Sequence, residues 1–214
     1  MEIAIPLFDR FTALDAIGPY QVLSMLPGAN VRFLAAEAGP VRTDNGMLTV
    51  LAEGRYEDVP EPEVLVAPGG PGTRAMLSDE RLLGWIRSAH GSSRYTTSVC
   101  TGSLLLPAAG LLDGLDAATH WLSRDELAEL GARPVPERVV ERGKLITAAG
   151  VSAGIDMGLR LAELLAGAEA AQAVQLIIEY DPEPPFDAGS PEKASPEVVE
   201  WVRDGRRPKA APAT

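Results

Sequence analysis

The chain has 214 residues, enough for one domain with a substantial core, and its 46% hydrophobic and 23% charged residues are ordinary for a globular protein. A formal net charge of −11 argues against nucleic acid, which selects basic surfaces, and against docking on anionic membranes. No apolar run approaches the roughly 18 residues of a membrane span, the start Met1–Phe8 lacks a basic segment and a cleavage site, and one unpaired cysteine fits a reducing cytoplasm.

In chain order, Ile3–Leu7 reads as a buried strand. Thr12–Leu26 carries Ala13, Ile17, Val22, Leu23 and Leu26 at helical spacing, with Thr12 as a candidate N-cap. Strands follow at Val31–Ala35, at Met47–Leu51 after the turn Asp44-Asn45-Gly46, and at Glu63–Ala67, which runs into Pro68-Gly-Gly-Pro-Gly72. Ser78 is placed to cap a helix reaching His90. Arg94–Val99 reads as a strand and Gly102–Gly110 as a helix ended by glycine. A short strand at Ala117–Thr119, a helix at Ser123–Leu130 and a hairpin of Arg138–Val140 with Lys144–Thr147 come next. Helices from Ser152 or Ala153 to about Leu165 and over Ala168–Tyr180 complete the pattern.

Strands alternate with helices, and the central strands are continuous apolar runs. This predicts a mostly parallel sheet covered on both faces. Asp181–Phe186 is too rich in proline for a helix and is expected to run along the surface. One domain is expected over residues 1–204, with a flexible tail over 205–214.

Four places carry candidate chemistry. Cys100, the only cysteine, stands at the carboxyl end of a strand, where ligands sit in an open α/β sheet, with Gly102 opening the next helix. A helix start favours thiolate and so a depressed thiol pKa, and Ser98, Thr101 and Ser103 add hydroxyl donors. The competing reading is a small buried hydrophobe on a strand. In Pro68–Gly72, backbone amides such as that of Gly70 are candidates, with the Thr101 N–H, for an oxyanion site; an ordinary turn is the plainer reading. Asp15 lies in the first turn of an apolar helix, either to exchange a proton with the thiol or to complement the helix dipole. His120, followed by Trp121, is a candidate partner of Cys100 or a plain core or surface histidine, whereas His90 at a helix end needs only a capping role. With two histidines and no cysteine cluster, no metal site is expected.

With these pieces in order, the segments "LDAIGPYQVL", "VLVAPGGPG", "TSVCTGSLLLPAAGLLDG", "ATHW" and "TAAGVSAGIDMGLRL" make the chain resemble the ThiJ/PfpI superfamily, related in fold to class I glutamine amidotransferases. The resemblance covers roughly residues 1–191. Within it the chain is most similar to the isonitrile (isocyanide) hydratases, which share the Asp in the first helix, "VCTGS" at the elbow and a tail like "PPFDAGSP"; other branches carry Glu at the position of Asp15.

The resemblance implies a flavodoxin-like α/β/α sandwich, a homodimer, and no metal or organic cofactor. It implies Cys100 as nucleophile on a strained elbow, with roles at the thiol for Asp15 and Thr101, and Gly70, His120 and Trp121 as candidates around the substrate. The implied reaction is hydration of an isonitrile to an N-substituted formamide through a thioimidate on Cys100. Gly150 and Gly154, which bracket the start of the helix near Ser152, are candidate hinge points for a helix that moves during turnover. A glutamine amidotransferase is not expected, because His120-Trp121 has no carboxylate in the triad position. A regulator is not expected either, because the chain ends before a helix-turn-helix domain. A cofactor-free glyoxalase-type enzyme, a redox-sensing or stress protein using the same cysteine, and a non-catalytic ligand-binding dimer stand as alternatives.

Overall fold

A computed structural model describes residues 1–205; the rest of the tail expected to be flexible lies outside the described residues. The described residues form two compact units, one over Met1–Tyr180 and one from Asp181 onward.

The first unit opens with β1 (Glu2–Pro6), α1 (Ala13–Leu23) and β2 (Asn30–Ala35). A hairpin of β3 (Gly39–Arg42) and β4 (Thr49–Ala52) follows, then β5 (Gly54–Arg55) and β6 (Val64–Ala67). Next come α2 (Thr73–Met76), α3 (Glu80–Ser92), β7 (Tyr95–Val99) and α4 (Leu105–Ala108). The chain continues through β8 (Asp116–Ala117), α5 (Arg124–Glu129), β9 (Arg133–Pro134), β10 (Val139–Arg142) and β11 (Leu145–Ala148), and closes with α6 (Ala153–Ala166) and α7 (Ala168–Ile177).

Seven strands make the main sheet in the order β10-β11-β7-β6-β1-β2-β5. All pairs are parallel except β10 with β11. The inner strands β1, β6 and β7 pair through Ile3↔Val64 and Leu65↔Thr96, and their side chains are almost all buried, as the apolar runs require of a sheet covered on both faces. Helices flank this sheet, with α1 packed on α6, α6 on α7, and α3 on α4, so the expected three-layer α/β/α architecture holds. Ile3, Ile5, Leu65 and Val66 from the strands pack with Leu23, Leu82, Ile86, Met157 and Leu161 from the helices in one core.

The α1–α6 contact is unusually close because glycines face side chains across it. A Cβ on Gly18 would lie 3.2 Å from Ile155 Cγ1, one on Gly154 3.2 Å from Pro19, and one on Gly158 3.1 Å from the Cβ of Val22. This approach brings the start of α6 to the carboxyl end of β7, where Cys100 sits.

Several local expectations change. Thr12 occupies the N-cap position of α1, but its hydroxyl makes no cap hydrogen bond and reaches Asp44 Oδ2 at 3.2 Å instead. Asp79, not Ser78, caps α3, since its carboxylate lies within reach of both the Arg81 and Leu82 N–H groups. The helix expected over Gly102–Gly110 begins as a 3-10 turn over Cys100–Leu104 and is α-helical only over α4. Steric contact forces this tight entry, because a Cβ on Gly102 would lie 2.2 Å from the Ala67 carbonyl.

In the second unit, Asp181–Phe186 is neither helix nor strand, as its prolines dictate. It is followed by α8 (Pro196–Arg203), where Ser195 caps the helix by accepting the Val198 N–H and Pro196 fills the first turn. Among the described residues no helix is long and apolar enough to cross a membrane.

Candidate active site

Cys100 leaves β7 with φ of 58°, a left-handed conformation that a residue with a Cβ adopts only when its surroundings fix it. Here they do. The Cys100 N–H donates to the Ala149 carbonyl at 3.1 Å, and the Cys100 carbonyl accepts from the Ser103 hydroxyl at 2.9 Å and the Thr119 hydroxyl at 3.1 Å. Two distant segments, at Thr119 and Ala149, and the neighbouring Ser103 thus hold the strained residue. The Cys100 side chain is turned toward the N–H groups of Thr101 and Val151, both of which donate to sulfur. Val151 is itself strained, with φ of 38°, at the loop that enters α6.

Asp15 is fully buried in α1. Its Oδ2 accepts the Gly69 N–H at 3.0 Å, Oδ1 has no hydrogen-bond partner, and the carboxyl group faces the Cys100 thiol. Burial pushes its pKa from 3.8 up to about 7, against the Gly69 and Cys100 hydrogen bonds, which lower it. Burial, and then the charge of Asp15, pushes the thiol up to about 12, while the Thr101 and Val151 amides pull it down.

The depressed thiol pKa expected from the sequence is therefore corrected. The helix after Cys100 is a 3-10 turn plus one short helix and offers little dipole, whereas desolvation beside a carboxyl is large. The two groups form a coupled pair that carries one negative charge readily and two only at high pH.

The glycine loop serves this pair differently from expectation. The Gly70 N–H donates to Thr101 Oγ1 at 2.8 Å and is not free for an oxyanion, while the Gly69 N–H holds Asp15. Thr101 Oγ1 is also 3.2 Å from the Gly70 carbonyl and 3.1 Å from Thr73 Oγ1. No side chain fits at Gly69, where a Cβ would lie 2.5 Å from the Thr101 nitrogen. The flanking hydroxyls are redirected too: Ser103 bonds the Cys100 carbonyl, and the buried Ser98 hydroxyl has no partner.

Above the sulfur opens a cleft of about 250 Å³. Thr12, Gly70, Pro71, Thr101, Val151 and His120 line it with Cys100, as do Asp44, Arg74, Leu122 and Ser123. His120 reaches the cleft. Its Nδ1 accepts the Leu122 N–H at 3.3 Å, and burial, then the charge of Arg74, lowers its pKa, so it is a neutral imidazole. Trp121 is not in the lining; its ring tilts against His120 with centroids 6.0 Å apart. Gly150 lies under His120, where a Cβ would sit 2.6 Å from Cδ2, and Gly154 lies against Pro19 and Val99. Close packing accounts for both glycines as observed.

The structure thus brings the candidates Cys100, Asp15 and Thr101 together, and with them His120, whose place the sequence left open. Sequence reasoning missed Thr73, Thr119 and the Val151 amide, and the wall residues Thr12, Asp44, Arg74, Leu122 and Ser123. The Asp44-Asn45-Gly46 turn was the one readable signal for that wall.

A mostly parallel sheet with a strained cysteine at the strand end and a buried carboxyl beside it defines a class of protein. The chain belongs to the DJ-1/PfpI family, whose model matches residues 1–164. It is 46% identical to an isonitrile hydratase of Pseudomonas putida over 213 residues, covering 100% of this chain and 91% of that protein. It is 32% identical over 184 residues to the HTH-type transcriptional regulator CdhR of Pseudomonas aeruginosa, covering 83% of this chain but 53% of the regulator. Among solved structures it matches a ThiJ/PfpI family protein from Pseudomonas syringae with a TM-score of 0.91 and 40% identity, over 95% of this chain and 84% of that one.

Proposed function

We propose that the protein is an isonitrile hydratase that converts R–N≡C and water to R–NH–CHO. The observation that carries this reading is the Asp15–Cys100 pair, a buried carboxyl of pKa about 7 against a nucleophile fixed at a strained elbow. The similarity over the whole chain to a hydratase supports it.

In this reading the pair holds one proton and one negative charge at neutral pH. The terminal isonitrile carbon takes the proton and becomes electrophilic, and sulfur adds to it, giving the thioimidate R–N=CH–S–Cys100. Asp15, now ionised beside a neutral thioester-like sulfur, deprotonates water as it adds to the same carbon. The nitrogen takes a proton, the C–S bond breaks, and formamide leaves as the proton returns to the pair. Thr101 holds the sulfur through its N–H and, through its hydroxyl, fixes the loop at Gly70, while His120 offers a neutral ring at the cleft wall. Residues 1–204 act as one functional domain, in a cytoplasmic homodimer. Exposed Met47, Leu48 and Leu51 on the β3–β4 hairpin and Leu14 on α1 suit burial against a second copy.

The test is formation of N-cyclohexylformamide from cyclohexyl isocyanide by the purified protein and its Cys100→Ser variant. Turnover by the first and none by the second is expected. No turnover by the parent, or release of D-lactate from methylglyoxal in its place, would overturn the reading in favour of the glyoxalase-type alternative or a non-enzymatic role.

A further inference from the structure

The lining of the cleft carries two charged side chains, Asp44 and Arg74, and the two differ in one respect. Arg74 has an ion-pair partner. Its guanidinium pairs with Glu126 in the first turn of α5 and lies 3.5 Å from the Ser123 hydroxyl. Asp44 has no such counter-ion among the described residues. Its Oδ2 accepts the Thr12 hydroxyl at 3.2 Å and its Oδ1 accepts the Asn45 N–H at 2.9 Å, so the carboxylate is fixed by neutral donors only. His120, in the same lining, has its pKa lowered and is neutral. The cleft therefore presents one carboxylate without an ion-pair partner among the described residues, above a Cys100–Asp15 pair that is itself anionic, on a chain of net charge −11.

We propose that the cleft selects against anionic reactants, and that Asp44 is the residue that sets this preference. Resting on the hydratase reading, the substrate class follows: isonitriles whose R group is neutral or cationic where it passes the β3–β4 hairpin, not those carrying a carboxylate. The partly desolvated wall strengthens the effect, since a fixed charge acts over a few ångströms with less screening than at an open surface. Arg74 offsets it less while Glu126 holds the guanidinium.

Cys100 is the only cysteine in the chain, so alkylation reports on this cleft alone and needs no isonitrile. In each alkylation the S–C bond forms as iodide leaves, and the neutral iodoacetamide differs from iodoacetate in little but charge. The ratio of the iodoacetate rate to the iodoacetamide rate is measured for the protein and for N-acetylcysteine at low salt. The protein's ratio is expected to be about fivefold to tenfold lower, and added salt narrows the gap. Asp44→Asn should raise the ratio severalfold, and Glu126→Gln, an exposed change that frees Arg74, should raise it as well. A ratio equal to that of the free thiol, or one that neither variant moves, overturns the proposal. If cyclohexyl isocyanide is not hydrated at all, the hydratase reading fails while the alkylation ratios still decide this one.

Discussion

The Asp15 carboxyl and the Cys100 thiol face each other in the core of the molecule, each raised in pKa by burial, and the charge of Asp15 raises the thiol further while the Cys100 hydrogen bond draws the carboxyl back down. A fold gains nothing in stability from such a pair. Its placement tunes one proton to move near neutral pH.

The first consequence is a pH-dependent stability. Asp15 has a folded pKa of about 7 against 3.8 unfolded, so the folded state binds the proton more tightly. Stability is complete below pH 3.8, as far as this group is concerned, and is lost as pH rises toward 7, where the loss levels off. Asp15→Asn keeps an acceptor for the Gly69 N–H and removes the ionisation. It should melt higher than the parent at pH 8, by up to a few kcal/mol, and the gap should close near pH 4. Its hydration rate should fall by about 10²-fold or more. A melting difference that does not change with pH removes Asp15 from the titration.

Strain at Cys100 gives the second. Cys100→Ala and Cys100→Gly should both abolish hydration, but only glycine relaxes the φ of 58°. Chemical denaturation should find the glycine variant more stable than the alanine variant by about 1 kcal/mol. Equal midpoints would mean that the surrounding hydrogen bonds carry no strain.

The third concerns Thr119, whose hydroxyl donates to the Cys100 carbonyl. Thr119→Val preserves shape and removes the donor, and the loss in stability should be about 1 kcal/mol. The elbow is held by that bond, so kcat should drop more than KM rises. Thr119→Ser should restore kcat, and failure of serine to do so would assign the effect to packing.

A fourth tests Gly150 and the start of α6. Alanine at 150 puts a methyl 2.6 Å from His120 Cδ2, so the imidazole must move from the cleft wall or α6 must shift. Gly150→Thr crowds the hinge proposed at Gly150 and Gly154 further. Slower release of formamide than of the thioimidate-forming step, seen as a pre-steady-state burst, is expected if this end of the helix moves. Unchanged burst and steady-state rates in both variants would leave the two glycines with a packing role only.

The proposed homodimer predicts a mass near twice that of the chain by light scattering at micromolar concentration, and a shift toward monomer for Met47→Glu with Leu51→Glu. A monomeric parent would refute it.

What the amino-acid sequence determined by itself was local. Continuous apolar runs such as Val64–Ala67, alternating with helical spacing, specify a parallel sheet covered on both faces, because only doubly buried strands need no polar side. The order strand, cysteine, glycine places Cys100 at the end of that sheet, and Asp15 after the first strand belongs on the same edge. What only the tertiary structure decided was what those residues touch. The Gly69 and Gly70 amides turn inward to side chains, Val151 supplies an amide to the sulfur from fifty-one positions away, and Asp44 from a turn and Arg74 from α2 meet at one cleft. The direction of the thiol pKa was decided there too. A short helix start favours the charged form by a little, but burial beside a carboxyl opposes it by much more, and burial is a property of the packed chain, not of any segment of it.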